Sequence, residues 1–328
     1  MRLFLLSLFA FLFIKHPGIK TIKFSGLAQG TSWHITYYAA DSIVLKEQVD
    51  SIFKKIDSSL SLYKPYSLVS QFNRSRDGLE VDQHLNNVVK KAQEVFRKTG
   101  GLFDITVYPL TEIWGFGPKP RDSLPSTSLV NEALACVSTD YLYWEGNTLK
   151  KQKPCVQLDP NGIAQGYTVD VIADFFERNL IKDYVIEVGG EIRVKGRKPG
   201  NKKISVGIEM PGNDPDFSMI SRVIYPANGA ITTSGNYRRY YESGGKRVTH
   251  LLDPRTGAPL QNELISVTVF AKDAITADAY DNAIMAMGLI KGLAFIERHK
   301  NLAAHFIFHN ADGTIGYTMS KRFKAFIK

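Results

Sequence analysis

Apolar residues return every three or four positions in several stretches of the chain and every second position in several others. The first pattern predicts helices over Ser42–Leu60, with Val44, Val49, Ile52, Phe53 and Ile56 on one side, and over His84–Thr99, closed by Gly100-Gly101. It predicts further helices over Thr127–Cys136, from Val169 through Ile172, Phe175 and Phe176 to Asn179, and over Asp278–Gly288 and Lys291–His299. Alternation predicts a β-hairpin from Thr21–Phe24 and Trp33–Tyr38, and another from Tyr141–Trp144 and Thr148–Lys151 around Glu145-Gly146-Asn147. Strands are expected at Tyr184–Val188, Ile192–Gly196, Ile204–Glu209, Ser221–Tyr225, Gly229–Thr233, Thr249–Leu252, Ile265–Phe270 and His305–Phe308. Ser70–Asn73 reads as a short turn or helix start, and Phe103–Leu110 as a short apolar run with β-branched residues. The pattern as a whole is α+β, with mainly antiparallel sheets and packed helices.

The stretch Leu158-Asp159-Pro160-Asn161-Gly162-Ile163-Ala164-Gln165-Gly166-Tyr167 joins these patterns, reading as strand, tight turn and helix. The first N–H groups of a helix lack intrahelical partners and carry partial positive charge, so a glycine-bearing turn there suits a phosphate. It equally suits a plain connection between strand and helix.

Composition narrows the field. At 328 residues and 44% hydrophobic content the chain can bury one large core or two smaller ones. Its formal charge of +9 is spread without a dense Lys/Arg block, which argues against a nucleic-acid arm and suits an anionic ligand or membrane surface. One Arg followed by an apolar run fills Met1–Ile14, a length suited to an export signal and short for a bilayer span. Residues 1–18 therefore read as a signal peptide or an uncleaved membrane anchor, placing residues 19–328 on the exported side of the inner membrane. Cys136 and Cys155 fit either one disulfide or two separately buried thiols, and have no metal-ligand spacing.

Four groups of residues could carry chemistry. Asp278, Asp281 and Asn282 share one helix face, as oxygen ligands for Mg²⁺ or as a solvated surface. Thr232-Thr233-Ser234-Gly235-Asn236-Tyr237-Arg238-Arg239 could hold phosphate oxygens or simply turn between strands. His250, ahead of Asp253-Pro254-Arg255-Thr256-Gly257, could act as a general base or be a structural histidine in an apolar strand. The segment from Asp57 through Tyr63, Ser67 and Ser70 to Asn73 offers an aromatic and small polar groups, or only loop and cap residues.

Taken in order, Gly30–Trp33, Ser61–Asn73, Phe103–Leu110, Leu158–Tyr167, Glu187–Ile192, Thr233–Arg238, His250–Gly257 and Ala277–Asn282 resemble the ApbE family, the FAD:protein FMN transferases. The resemblance covers residues 26 to 290 and implies a T-fold-like architecture. It implies Mg²⁺ and FAD, with FAD as substrate, and transfer of the FMN moiety to a threonine or serine of an acceptor protein outside the cytoplasmic membrane. That acceptor would belong to an electron-transport complex and carry a Ser/Thr-Gly/Ala-Ala-Thr-like site. The metal would be held by the Gly162 carbonyl, Asp278, Asp281 and Asn282; Tyr63, Phe103, Asp104, Ile105, Asp159, Gln165, Ser234, Arg238, Leu252 and Arg255 would contact FAD. His250 would activate the acceptor hydroxyl, and Asp278 would serve the chemistry through the metal. Asn282 stands where the family commonly has Thr or Ser, Gln165 where Lys is frequent, Pro160-Asn161 where an apolar residue and Gly are usual, and Tyr108 where Gly is found. Pyrophosphate hydrolysis to FMN and AMP, or non-catalytic FAD binding, would use the same site.

Overall fold

Eight strands in uninterrupted antiparallel order form the sheet on which everything else is mounted. The computed structural model describes residues 18–118, 123–210, 219–237, 240–243 and 246–327, so the apolar segment Met1–Ile14 and Arg238 lie outside the described residues. The strands of the sheet are β1 (Lys20–Ala28), β2 (Thr31–Ala39), β3 (Tyr184–Val188), β4 (Glu191–Lys195), β5 (Asn228–Gly235), β6 (Leu264–Ala271), β7 (Ala303–His309) and β8 (Ile315–Met319). Each pairs with the next one along the chain. The β1–β2 hairpin turns on Gln29 and Gly30, both at positive φ (53° and 76°), the geometry that matches the twist of antiparallel strands.

The helices are α1 (Lys46–Leu60), α2 (Leu68–Arg74), α3 (Gln83–Thr99), α4 (Tyr108–Ile113), α5 (Thr127–Leu134), α6 (Ala164–Arg178), α7 (Ala274–Met287) and α8 (Leu289–Arg298). Alternation along β2 and β3 turns Trp33, Ile35, Tyr37, Tyr184, Ile186 and Val188 toward α1 and α6, where Val49, Phe53, Ile172 and Phe176 meet them. A larger apolar cluster joins α3, α6 and α7 to β6 through Val88, Val95, Tyr167, Ile284 and Val267. The opposite face of β4 and β5 is covered by Val206, Ile208 and Ile224 of a separate hairpin and by Phe323. Strand β6 is buried on both faces, so even Ser266 and Thr268, which alternate with Val267 and Val269, are covered.

Several expected elements shift for local physical reasons. The first helix begins at Lys46 rather than Ser42, because the Tyr37 hydroxyl accepts the Ile43 and Val44 N–H groups at 3.2 and 3.3 Å and holds that segment non-helical. The run Phe103–Leu110 is not a strand. The Asp104 carboxylate accepts from the Thr106 N–H and hydroxyl at 2.8 and 2.6 Å, bending the chain into a turn ahead of α4. No strand precedes the turn at Pro160 either. Asn73 takes the place of a neighbouring strand, donating to the Leu158 carbonyl at 2.9 Å and accepting its N–H at 2.7 Å. The strand expected over Thr249–Leu252 ends at Thr249, pairing as Lys246–Thr249 with Tyr240–Ser243, and leaves His250 beyond it. Strand β8 alternates Ile315, Tyr317 and Met319 with Gly316 and Thr318, and the short strand Gly78–Glu80 has the single apolar residue Leu79; neither is among the expected strands. Cys136 and Cys155 are joined in a disulfide with Cα atoms 5.5 Å apart, which resolves their two readings.

Candidate active cleft

The N-terminus of α7 is fixed from two directions. Asp273 caps it by accepting the Thr276 N–H at 3.0 Å, and the Asp170 carboxylate of α6 accepts the Ala274 and Ile275 N–H groups at 2.9 and 2.8 Å. One turn on, Asp278 Oδ2 accepts the Gly166 N–H from the first turn of α6 at 2.9 Å. Thus an amide that sequence reasoning offered to a phosphate instead holds a carboxylate. The close approach requires glycine: a Cβ at Gly166 would sit 2.4 Å from the Ala274 carbonyl oxygen and 2.7 Å from Asp278 Cβ.

Asp278 and Asp281 are almost wholly buried, at 5% and 1% exposure, so this helix face is not a solvated one. Burial pushes the Asp278 carboxyl up to about 7, against the pull of the Gly166 N–H, and the Asp170 charge pushes the same way. Burial likewise raises Asp281 well above the usual carboxylate range, and the charges of Asp278 and Glu191 add to it. Beside them Asn282 donates from Nδ2 to Asp281 Oδ1 at 3.0 Å and lies 3.4 Å from the Gly162 carbonyl oxygen, while its Oδ1 accepts the Ser234 hydroxyl at 3.2 Å. The turn before α6 and the acidic face of α7 therefore meet. Two carboxylates and a backbone carbonyl converge in a poorly solvated place, hard oxygen donors of the kind that suit Mg²⁺, with the Asn282 –NH₂ group among them.

These groups form one wall of a cleft of about 310 Å³. Its lining also includes Phe103, Asp104, Asp159, Gln165, Ser234, His250 and Leu252, residues separated by up to half the chain in sequence. Asp159 is held by Thr111, whose hydroxyl donates to Oδ2 at 3.0 Å. His250 stands edge-on to Phe116, ring centres 6.2 Å apart, and Phe116 in turn packs on Tyr241 at 5.4 Å. Asp104 reaches the cleft, yet its oxygens are engaged by Thr106 and by the Thr139 N–H and hydroxyl at 3.0 and 2.7 Å, so it fixes the loop that presents Phe103. Burial raises its carboxyl despite those bonds.

Three expected contacts lie elsewhere. Ile105 is fully buried in the core. Tyr63 is 59% exposed and outside the cleft lining. Arg255 lines a neighbouring groove, where its Nε and Nη2 donate to Asp253 at 3.0 and 2.8 Å. The cleft also recruits Thr111 and Phe116, Thr233 of the candidate phosphate stretch, and Asn161, Gly189 and Glu191 of the motifs, none of them among the residues expected to contact FAD or the metal. For Glu191 the Gly189-Gly190 turn, at φ 64° and 107°, was the signal within reach; Phe116 and Thr111 carried none.

The ApbE family model matches residues 29–306. A protein of Vibrio cholerae named FAD:protein FMN transferase is 36% identical over 313 residues, covering 93% of this chain and 92% of its own length. One of the same name from Haemophilus influenzae is 33% identical, covering 90% and 89%. Among solved structures, the flavin transferase ApbE from Vibrio cholerae superposes with a TM-score of 0.85 at 34% identity, over 94% of this chain and all of that one. The apo form of the Pseudomonas stutzeri flavinyl transferase ApbE gives 0.85 at 31% identity, over 94% and 97%. With its turn, acidic helix and histidine gathered in one cleft and these relatives matched along nearly its whole length, the chain belongs to the ApbE family.

Proposed function

We propose that this chain transfers the FMN moiety of FAD to a threonine or serine hydroxyl of a partner protein, in a magnesium-dependent reaction that releases AMP. The observation that carries the reading is the cleft itself, in which the buried carboxylates of Asp278 and Asp281 and the imidazole of His250 line a single cavity. Its support from relatives is their shared name, FAD:protein FMN transferase.

The residues divide the work as follows. Two carboxylates buried side by side repel one another unless a proton or a cation joins them, so Asp278 and Asp281, with the Gly162 carbonyl and Asn282, are fitted to hold magnesium. Magnesium bound there would offset the negative charge of the pyrophosphate as the transition state forms. Phe103 and Leu252 offer apolar surface to a flavin or adenine ring, while Asp159, Gln165 and Ser234 offer polar contacts. Tyr63, Arg238 and Arg255 would add contacts to FAD, as the family resemblance implies. His250 takes the proton of the acceptor hydroxyl as its oxygen bonds to the FMN phosphorus; the pyrophosphate bond breaks and AMP leaves with the electron pair.

The acceptor would be a protein of an electron-transport complex at the outer surface of the inner membrane, carrying a Ser/Thr-Gly/Ala-Ala-Thr-like segment. The apolar stretch Met1–Ile14 and the Cys136–Cys155 disulfide support an exported, oxidising location, with the chain either processed or tethered there.

The test is to incubate the full chain with FAD, Mg²⁺ and such an acceptor fragment, then look for flavin fluorescence on the denatured fragment. Fluorescence that disappears in Asp278→Ala and in His250→Ala supports transfer. Free FMN and AMP with no labelled fragment would mean hydrolysis, and bound FAD without turnover would mean a binding protein.

A further inference from the structure

The two ends of the Asn282 amide have unlike surroundings. Its Nδ2 donates to Asp281 Oδ1 and to the Asp278 backbone carbonyl, both at 3.0 Å, and lies 3.4 Å from the Gly162 carbonyl oxygen. Its Oδ1 meets one hydroxyl, that of Ser234, at 3.2 Å. The partly positive –NH₂ group is thus placed among oxygens that repel one another, 3.2 Å from where a Cβ on Gly162 would lie. A half-turn of the amide would bring Oδ1 against those oxygens, an arrangement that is repulsive unless a cation lies between them. The same half-turn would bring Nδ2 to Ser234, whose hydroxyl accepts as readily as it donates.

We infer that Asn282 is an exchangeable stand-in for the cation: without metal its –NH₂ group bridges Asp281 and Gly162, and on metal binding the amide turns over, giving Oδ1 to the metal and Nδ2 to Ser234. The inference rests on the proposed function for the existence of the metal site. It adds that Ser234 serves as the pivot, and that metal affinity in this chain is lowered by the contacts the amide must give up. Aspartate has the same shape and no –NH₂ group, so Asn282→Asp cannot bridge the oxygens without metal and can ligate the metal without turning.

The test uses the full chain labelled at asparagine nitrogen, titrated with MgCl₂ alone and followed by calorimetry, NMR and thermal melting. The Asn282 –NH₂ signals, identified by their loss in Asn282→Asp, are expected to shift as calorimetry shows the site filling. Asn282→Asp is expected to melt lower than wild type without Mg²⁺, and to bind Mg²⁺ tighter by about fivefold or more because no competing contact is lost. Ser234→Ala, which removes the pivot, is expected to weaken Mg²⁺ binding relative to wild type. Magnesium binding that leaves the Asn282 signals unmoved would overturn the stand-in while sparing the metal site. No magnesium binding to wild type, with FAD or without, would overturn both.

Discussion

The carboxylate of Asp278 accepts the backbone N–H of Gly166 at 2.9 Å, tying the acidic face of α7 to the first turn of α6. The contact depends on the missing side chain at Gly166, where a Cβ would press on the Ala274 carbonyl oxygen. Gly166→Ala should force the helices apart and lower stability by about 1–3 kcal/mol, the range for overpacking a tight core. Denaturant unfolding checks this. An unchanged midpoint would show that the two helices separate freely.

Asp281 lies deep in the protein beside another carboxylate, and its charge is disfavoured there first by burial and then by Asp278. Replacing it with the neutral amide of Asp281→Asn should therefore leave metal-free thermal stability equal to wild type or higher. The same change should reduce flavin transfer by about 100-fold or more, the scale seen when a preorganised charge partner is removed. A variant that melts well below wild type in the absence of metal would contradict this account of the pair.

The Cys136–Cys155 disulfide closes a loop with a sequence separation of 19 residues. It joins the segment leading to Thr139, which clamps Asp104, to the segment leading to Asp159 on the cleft wall. Breaking it with the double variant Cys136→Ser, Cys155→Ser should cost about 3 kcal/mol of stability through the freed unfolded chain. It should also weaken FAD binding more than a distant destabilising change of equal size. Fluorescence titration of FAD against both variants makes the comparison.

His305 is 2% exposed among Tyr317 and Phe323, and burial, followed by the charge of Arg222, brings it down to about 4 from its ordinary 6.5. The unfolded chain thus binds a proton that the folded chain refuses between those two values. The contribution to stability is intact above pH 6.5 and is lost as pH falls toward 4, by about 3 kcal/mol in all. His305→Gln, which does not titrate, should lose stability less steeply than wild type over that interval. Parallel acid-denaturation curves with equal slopes would refute the assignment.

Periodicity alone determined the class of fold and most of the elements, since Trp33, Ile35 and Tyr37 must face one way and the apolar stripe of α3 another whatever surrounds them. Helical spacing put Asp278, Asp281 and Asn282 on one face, which is a local property, and the order of motifs carried the resemblance to the ApbE family, which alone linked Gly162 to that face. Tertiary structure decided the rest. Only packing shows that Asp278 and Asp281 are buried, that an amide of α6 serves Asp278 and not a phosphate, and that Ile105 belongs to the core. Phe116 and Thr111 joined the cleft without any pattern of their own, because what places them is contact with His250 and Asp159, residues far away along the chain. A sequence records local preference residue by residue. Burial, and with it the charge state of a carboxylate or histidine, depends on neighbours that only the folded chain brings near.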